Sequence, residues 1–566
     1  MPPRGPDLRS ARQSARSPEP APSPPPTPKP ARTSPVHPPN ATETPPAAPL
    51  LRPPSGSELP PSAPSPGSPT AVAPAPLSPP SPRPIKASAT RFLGVLAAGV
   101  RHDRATIWTR LDGPGSVRLE LSEADGARRV VTDFRNATID TGYNVHLPIS
   151  GLRPHTAYRY RVRLVGTSLY SEEGRFRTAP RRDVPVRIAF SADLATSSKY
   201  HDLFDDLTKS GAQLYLSLGD WPYADLGVPA YALEDYRKKH QESRNASAVR
   251  AWMRTMAIHA TWDDHEAVND WDAGTEAANP LRIAAAKRAW REFFPVRGAS
   301  RGEIYRRHLW GPKIEIFILD TRSHRDANYS VATEEKTMLG RGQRAWLLKG
   351  LRDSKAAFKL VVTSVPLVQG TTGRDRWASF AAEKNEILRW IQDHQIPGVV
   401  FLTGDQHWFA AHHLPEGPKE FQAGPLAQYM RRPNRRVPVW VAMQRAKRNF
   451  VTLDYLPGAP PTLAVTAWGN RGKIIYVEQI QAGVGEIWVR TRHPDTRWTL
   501  TGAHIFAGRG TRQLPWATPG DYLVTWRRGR DRAAPEIRSF GRLVPGGQLN
   551  LEEPVGLAEP RRHLSD

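Results

Sequence analysis

Five apolar runs in this chain stop at an aspartate: RIAFSAD at Asp193, LYLSLGD at Asp220, IHATWDD at Asp264, IEIFILD at Asp320 and VVFLTGD at Asp405. Aspartate is depleted inside strands, so one such ending carries little information. Five of them, separated by helical stretches, are expected to set carboxylates along one edge of one sheet. That edge is where open α/β folds bind ligands. Clustered carboxylates repel, and only cations or protons make the cluster tolerable. A metal site is therefore the first expectation.

The residues around these endings refine the chemistry. In Gly219–Tyr223 the glycine allows a sharp turn, and Asp220 then has a short side chain suited to bridging two cations. Tyr223 follows three residues on, and its phenolate is a hard anionic ligand suited to ferric iron. In Trp262–Glu266, Asp264 offers an oxygen ligand and His265 an imidazole ligand or a proton carrier; Asn269 and Asp270 follow within a turn. In Gly404–His407, alternate residues of an extended segment point the same way, so Asp405 and His407 can grip one centre. In Leu319–Arg325, Asp320 ends a strand and two arginines follow. The planar fork of Arg322 or Arg325 matches phosphate oxygens and would hold substrate; for Arg325 a surface salt bridge is an equal alternative.

These endings need a scaffold. From 181 to 482 strands alternate with helices. YHDLFDDLTKSG closes at Gly211, and LRIAAAKRAWREFF, RGQRAWLLKGLRDS and FAAEKNEILRWIQDHQ are further helices. The alternation predicts a layered α/β domain. NFVTLDYL, TLAVTAW and KIIYVEQI follow without helices between them, so part of the sheet is expected to be antiparallel. Residues 88–180 hold short strands separated by Gly/Pro turns, which predicts a small β-sandwich. There, GLRPHTAYRYRVR is similar to the turn and Tyr-rich strand of fibronectin type III domains. Residues 483–566 read as a β-rich extension. Residues 1–87 are Pro, Ala and Ser with few charges, as in PEPAPSPPPTPKPA, and are expected to be a disordered tail with polyproline character.

Composition narrows the classes. There are 566 residues, 57 prolines and no cysteine. That excludes disulfides, thiolate zinc sites and a cysteine nucleophile, and leaves the compartment open. The net charge of +24 would attract polyanions, such as nucleic acid or anionic phospholipid, although RRPNRR at 431–436 is the nearest approach to a basic run. No stretch is apolar and long enough to span a membrane, and no apolar region follows the N-terminus as in an ordinary signal peptide.

Taken in order, IAFSAD, LSLGDWPYAD, ATWDDHEAVND, ILDTRSHR, GRGQRAWLLKGL and VVFLTGDQHW resemble the PhoD-like (alkaline phosphatase D) metallophosphatases. The likeness runs from about 90 to 480 and begins with GVLAAGVRHDRATIWTRL. The resemblance implies a four-layer metallophosphoesterase fold behind a β-sandwich, a dinuclear iron/calcium-type centre, and hydrolysis of phosphate esters. Manganese, zinc or magnesium are alternatives to that pair. On this resemblance Asp220 is the bridging ligand and Tyr223 the iron-binding tyrosinate. Asp264 and Asn269 lie in the segment supplying a second-metal ligand. His265 is the active-site histidine, Asp405 and His407 are the late ligand pair, and Arg322 is the arginine of LDTR. Asp193 stands where that family commonly has a cysteine, and a carboxylate is the harder ligand. The early Asp and GDxxY are similar to purple acid phosphatases, but GNH and GHxH are replaced by DDHE and GDQH. The family precedent for location is export.

The expected mechanism is attack on phosphorus by hydroxide at the dinuclear centre. Asp193, Asp220, Tyr223 and His407 hold one metal, and Asp405 with Asp264 or Asn269 completes the other. Arg322 steadies the phosphate and His265 serves the leaving group or the nucleophile. Two other readings fit the residues. One is a basic binding or scaffold protein on a silent catalytic fold; the other is a nuclease-like phosphodiesterase.

Overall fold

A computed structural model describes residues 83–195, 200–298, 300, 302–368, 374–414, 417–433 and 441–483, and most of 485–553. The proline-rich tail expected over 1–87 therefore lies, up to residue 82, outside the described residues.

The acidic strand endings belong to two sheets, not one. Strands Val186–Ser191, Leu214–Ser217 and Ala257–Ala260 run parallel inside a nine-stranded sheet. Strands Ile314–Ile318, Phe358–Val362 and Val399–Thr403 run parallel inside a seven-stranded sheet. Side-chain alternation then builds layers. Ile188 and Leu216 of the first sheet share a core with Ile316 and Leu360 of the second. Their neighbours Ala189 and Tyr215 pack outward against Phe204, Trp252 and Trp290 of helices. On the other side, Phe317 and Val361 pack against Leu347 and Ile387 of helices Gly340–Asp353 and Ala381–Asp393. The order is helix, sheet, sheet, helix. Buried on both faces, these strands read as continuous apolar runs, as parallel strands do.

The antiparallel flank forms where expected, from Phe450–Leu456, Thr462–Trp468 and Ile474–Gln481. The segment 88–180 has two sheets around one core, as expected, and one of them is continuous with the nine-stranded sheet. Phe92–Ala98 pairs in parallel with Ala257–Ala260, and Arg104–Leu111 and Asn144–Ser150 continue the nine-stranded sheet. Gly115–Glu123, Ala157–Leu164 and Gly174–Arg177 form a separate small sheet with two short strands. Turn spacing shows that strands exist but cannot show that one of them pairs with a strand far downstream. Val95, Ile107, Leu119 and Tyr160 consequently share one core with Ile188. Residues Gly485–Glu552 form two further small sheets around Ile487, Trp498, Val524 and Trp526. Among the described residues no helix is long and apolar enough to cross a membrane.

Helix Leu233–Asn245 had no apolar stripe to announce it. Its buried face carries Tyr236, Arg237, His240 and Arg244. Arg244 lies 4.4 Å over the Trp221 ring and 4.8 Å over Phe294, so aromatic faces take the place of an apolar partner.

Glu478 ties the two sheets together. It sits on edge strand Ile474–Gln481 of the nine-stranded sheet and reaches Lys419 Nζ at 2.6 Å and His413 Nε2 at 3.0 Å in the seven-stranded sheet. Tyr476 Oη donates to it at 2.7 Å. Burial alone would raise its carboxyl, but Lys419 and His413 outweigh burial and hold it well below the usual glutamate range. A depressed carboxyl contributes stability that is present above its unfolded value and lost as pH falls toward its folded one. Glu478→Gln should cost about 3 kcal/mol in denaturant unfolding at neutral pH, because it removes the buried carboxylate charge that faces Lys419. The gap to the unmodified chain should narrow as pH drops below the ordinary glutamate range.

Candidate metal centre

Each acidic strand ending requires the chain to leave the sheet and turn at once. The turn is made with left-handed backbone at Asp193 (φ 63°), Asp220 (59°), Asp405 (71°) and His407 (62°). This region is costly for residues with a Cβ and least so for Asp, Asn and His. Four such residues in one place mark strain held by surrounding structure. Gly219 (φ 112°) is also sterically required: a Cβ there would lie 2.5 Å from Asp263 Cβ.

The turns bring ligand-type atoms together. Those of Asp193, Asp220 and His407 lie within 4.8 Å of one another, as do those of Asp220, Asp264 and His265. Asp220 belongs to both groups. Among the described residues, no donor of ordinary geometry reaches the buried oxygens of Asp193 and Asp220, Oδ1 of Asp264 or Oδ2 of Asp263. Buried acceptors left this way are expensive. Burial, then neighbouring carboxylates, pushes Asp193, Asp220 and Asp405 well above the aspartate range. Burial raises Asp263 to about 7 and Glu266 to about 8. Asp264 goes the other way: burial is outweighed by Arg322 and His265, which lower it. Buried carboxylate oxygens left short of donors fit hard cations.

Two imidazoles complete the cluster with fixed roles. His407 Nδ1 lies 2.8 Å from the Tyr429 carbonyl, and its Nε2 lies 2.9 Å from Tyr223 Oη. A carbonyl only accepts, so Nδ1 carries the proton and Nε2 accepts from the Tyr223 hydroxyl. Burial, then Arg431, lowers His407 to about 3. Burial, then the charges of Asp220 and Asp193, holds Tyr223 well above the usual phenol range. Only a nearby cation would make it a phenolate. His265 Nδ1 is held by Asp225 at 2.7 and 2.9 Å, leaving Nε2 available to the cluster. Burial opposes its charge, but Asp264 and Asp225 prevail and raise it to about 9. Its ring lies 4.2 Å from that of Tyr223.

The family model of the PhoD-like phosphatases matches residues 200–454, and that of the PhoD-like phosphatase N-terminal domain matches residues 78–180. The chain belongs to the PhoD-like phosphatase family. It is 27% identical over 386 residues to alkaline phosphatase D of Bacillus subtilis, a match covering 57% of this chain and 65% of that protein. It is 34% identical over 97 residues to purple acid phosphatase 23 of Arabidopsis thaliana, covering 15% of this chain and 21% of that one. The chain thus spans less than two thirds of the length of either curated relative. A solved PhoD structure superposes with a TM-score of 0.61 at 18% identity, covering 82% of this chain and 94% of that one. The yellow lupin (Lupinus luteus) purple acid phosphatase PPD1 superposes with a TM-score of 0.53 at 14% identity, covering 69% and 74%. At these identities the superpositions speak for the fold.

In this PhoD-like chain, several expected residues are placed differently from their sequence reading. Asp320 does not join the cluster. Its Oδ1 accepts from Trp262 Nε1 and from the backbone N–H groups of Arg322 and Ser323, which makes it a turn former. Asn269 is exposed, and its backbone N–H donates to Asp225 at 2.8 Å. Asp405 bonds the Gln406 side chain and feels the charges of Asp263, Asp375 and Asp264, but its oxygens fall in neither three-residue group.

Arg322 and Arg325 are the main correction, since neither side chain is accessible at all. Arg322 gives Nε to Asp263 at 2.6 Å, Nη1 to the Trp271 carbonyl at 3.1 Å, and Nη1 and Nη2 to Asp375 at 3.0 and 2.6 Å. Arg325 also pairs with Asp375 and gives Nε to the Thr321 carbonyl at 2.5 Å. Asp263 and Asp375 occupy the fork of Arg322, and Arg325 is buried against Asp375, Asn328 and the Thr321 carbonyl, so neither is open to a phosphate. Asp225, Asp263, Glu266, Asp375 and Arg431 were missed. Asp225, Asp263 and Glu266 sit inside the motifs PYAD and WDDHE, where the extra acids were the signal. Asp375 comes from a loop that carries none.

Because Arg322 neutralises Asp263 and Asp375, Arg322→Gln should destabilise the fold by about 3–5 kcal/mol, the range for breaking a buried ion pair. Urea unfolding measures this. A folded, stable variant with only a raised KM would restore Arg322 to a substrate role.

Proposed function

We propose that this chain is a metal-dependent hydrolase of phosphate esters, acting through a dinuclear centre. The observation that carries this reading is Asp220, buried, with no donor of ordinary hydrogen-bond geometry among the described residues, and shared by two groups of ligand-type atoms. Asp193, Asp220, Tyr223 and His407 would hold one cation. Asp220, Asp264 and His265 would hold the other, with Asp405 adding charge beside them. Iron and calcium are the pair that the family suggests, and the phenol of Tyr223 suits ferric iron. Bound cations would neutralise the phosphate oxygens and acidify a water for attack.

The chain's own residues do the rest. Tyr429 and Asp225 set the tautomers of His407 and His265, and so fix which nitrogen meets the cluster. Glu266 accepts from the backbone N–H of Trp221 at 2.9 Å and of Asp263 at 3.0 Å, holding the two acidic turns in register. The cation best placed for a substrate phosphate is Arg431. It is only half-buried, its backbone N–H donates to the His407 carbonyl at 3.2 Å, and its charge acts on His407. Its guanidinium touches Tyr429 Oη at 3.1 Å and is raised in part by Asp405 and Tyr223.

Asp220→Asn should lower bound metal and turnover of a chromogenic phosphodiester together, each by roughly 10- to 100-fold or more. A variant with full metal and full turnover would end this reading. With iron bound, Tyr223→Phe should remove a visible charge-transfer band, and an active, colourless, iron-free enzyme would remove iron from the proposal. Arg431→Ala should lower kcat/KM about tenfold or more, the scale of one charge-assisted contact, with metal content unchanged.

A further inference from the structure

The molecule gathers like charges in a second place. A cavity of about 580 Å³ opens where Ala98–Thr106, Pro148–Ser150, Ile258–Ala260 and Phe294–Arg297 meet strand Arg306–Leu309. Among the described residues, four arginines and two histidines line it, and no acidic side chain does. It shares no residue with the metal cluster. Asp103, which pairs with Arg104 at 2.9 Å, is not part of the wall.

The two histidines are the unexplained groups. His259 and His308 are 4% and 5% exposed, and their rings meet edge to face at 4.4 Å. Neither nitrogen of His259 nor Nε2 of His308 has a hydrogen-bond partner of ordinary geometry, although the Val100 carbonyl lies beside the His259 ring. Native proteins rarely leave buried polar atoms this way. Arg306 is buried too, and gives its N–H groups to the Ile304 and Ala260 carbonyls at 2.9 and 2.8 Å. Those partners are neutral, so the charge stays uncompensated. Burial and then Arg101 push Arg306 down to about 9, and burial with the same cations holds both histidines well below their usual range.

The wall selects its ligand. Paired imidazoles can bind a metal, but the guanidinium groups of Arg101 and Arg306 beside them repel a divalent cation. A guanidinium fork fits the oxygens of a phosphate, and neutral imidazole N–H groups add donors. Several converging cations call for an anion of several charges. We propose that the cavity walled by Arg101, Arg104, Arg297, Arg306, His259 and His308 is a binding site for a small, multiply charged phosphate compound, separate from the metal centre. Its ligand bridges the strands of the N-terminal segment and both large sheets, so occupancy stabilises their association.

Pyrophosphate is the probe, titrated calorimetrically into the full, metal-loaded chain. The double variant Arg101→Gln/Arg297→Gln alters side chains at the more open part of the wall and should fold; its melting curve without ligand checks this. Pyrophosphate affinity should fall at least tenfold in the double variant, with chromogenic ester turnover unchanged, and Arg101→Lys should retain most of the binding. Unchanged affinity in the double variant would overturn the proposal. So would a parallel loss of turnover, which would place the lost anion at the metal cluster.

Discussion

The structure turns on the repulsion among carboxylates that the fold presses together out of water. Asp193, Asp220, Asp263 and Asp264 lie just beyond the ends of parallel strands, and each has at least one buried oxygen without a donor of ordinary geometry among the described residues. In a low dielectric such charges cannot coexist uncompensated. The chain supplies part of the compensation itself: Arg322 takes Asp263, Asp264 and Asp375, and so lowers Asp264 while its neighbours are raised. The remainder, centred on Asp220, is left for cations.

Holding such a cluster requires a scaffold that does not yield. The two sheets pack through one apolar core and send their strand ends to the same place. The left-handed residues at the ends are costly in isolation and persist because both layers over-determine them. The buried pairs, Glu478 across the sheets and Glu266 across the acidic turns, attach polar groups on one element to donors on another. Aromatic faces around Arg244 do the same for helix Leu233–Asn245.

Charge is segregated more sharply than the net +24 suggests. One region concentrates carboxylates and another lines a cavity with guanidinium groups and silent imidazoles. Both place like charges where burial makes them least tolerable, and a ligand of the opposite sign would relieve each. The overall positive balance therefore says less about partners than the two local imbalances do.

The primary structure by itself determined the parallel strands, their acidic endings, four of the helices and most of the residues proposed for the cluster. Period and turn residues are local properties: Asp193, Asp220, Asp264, Asp405 and His407 each announce themselves within a few neighbours. Tertiary structure alone decided that these endings come from two sheets, that Asp320 caps a turn, and that Phe92–Ala98 joins the large sheet. It also decided how the arginines are partnered. Arg322 and Arg325 read as phosphate clamps until Asp263 and Asp375 are placed around them, while Arg431 stands beside His407 only once a distant loop has folded back. The physical reason is the same in each case. A side chain's chemistry is set by what surrounds it, and pairing between charges far apart in the chain leaves no periodic trace along it.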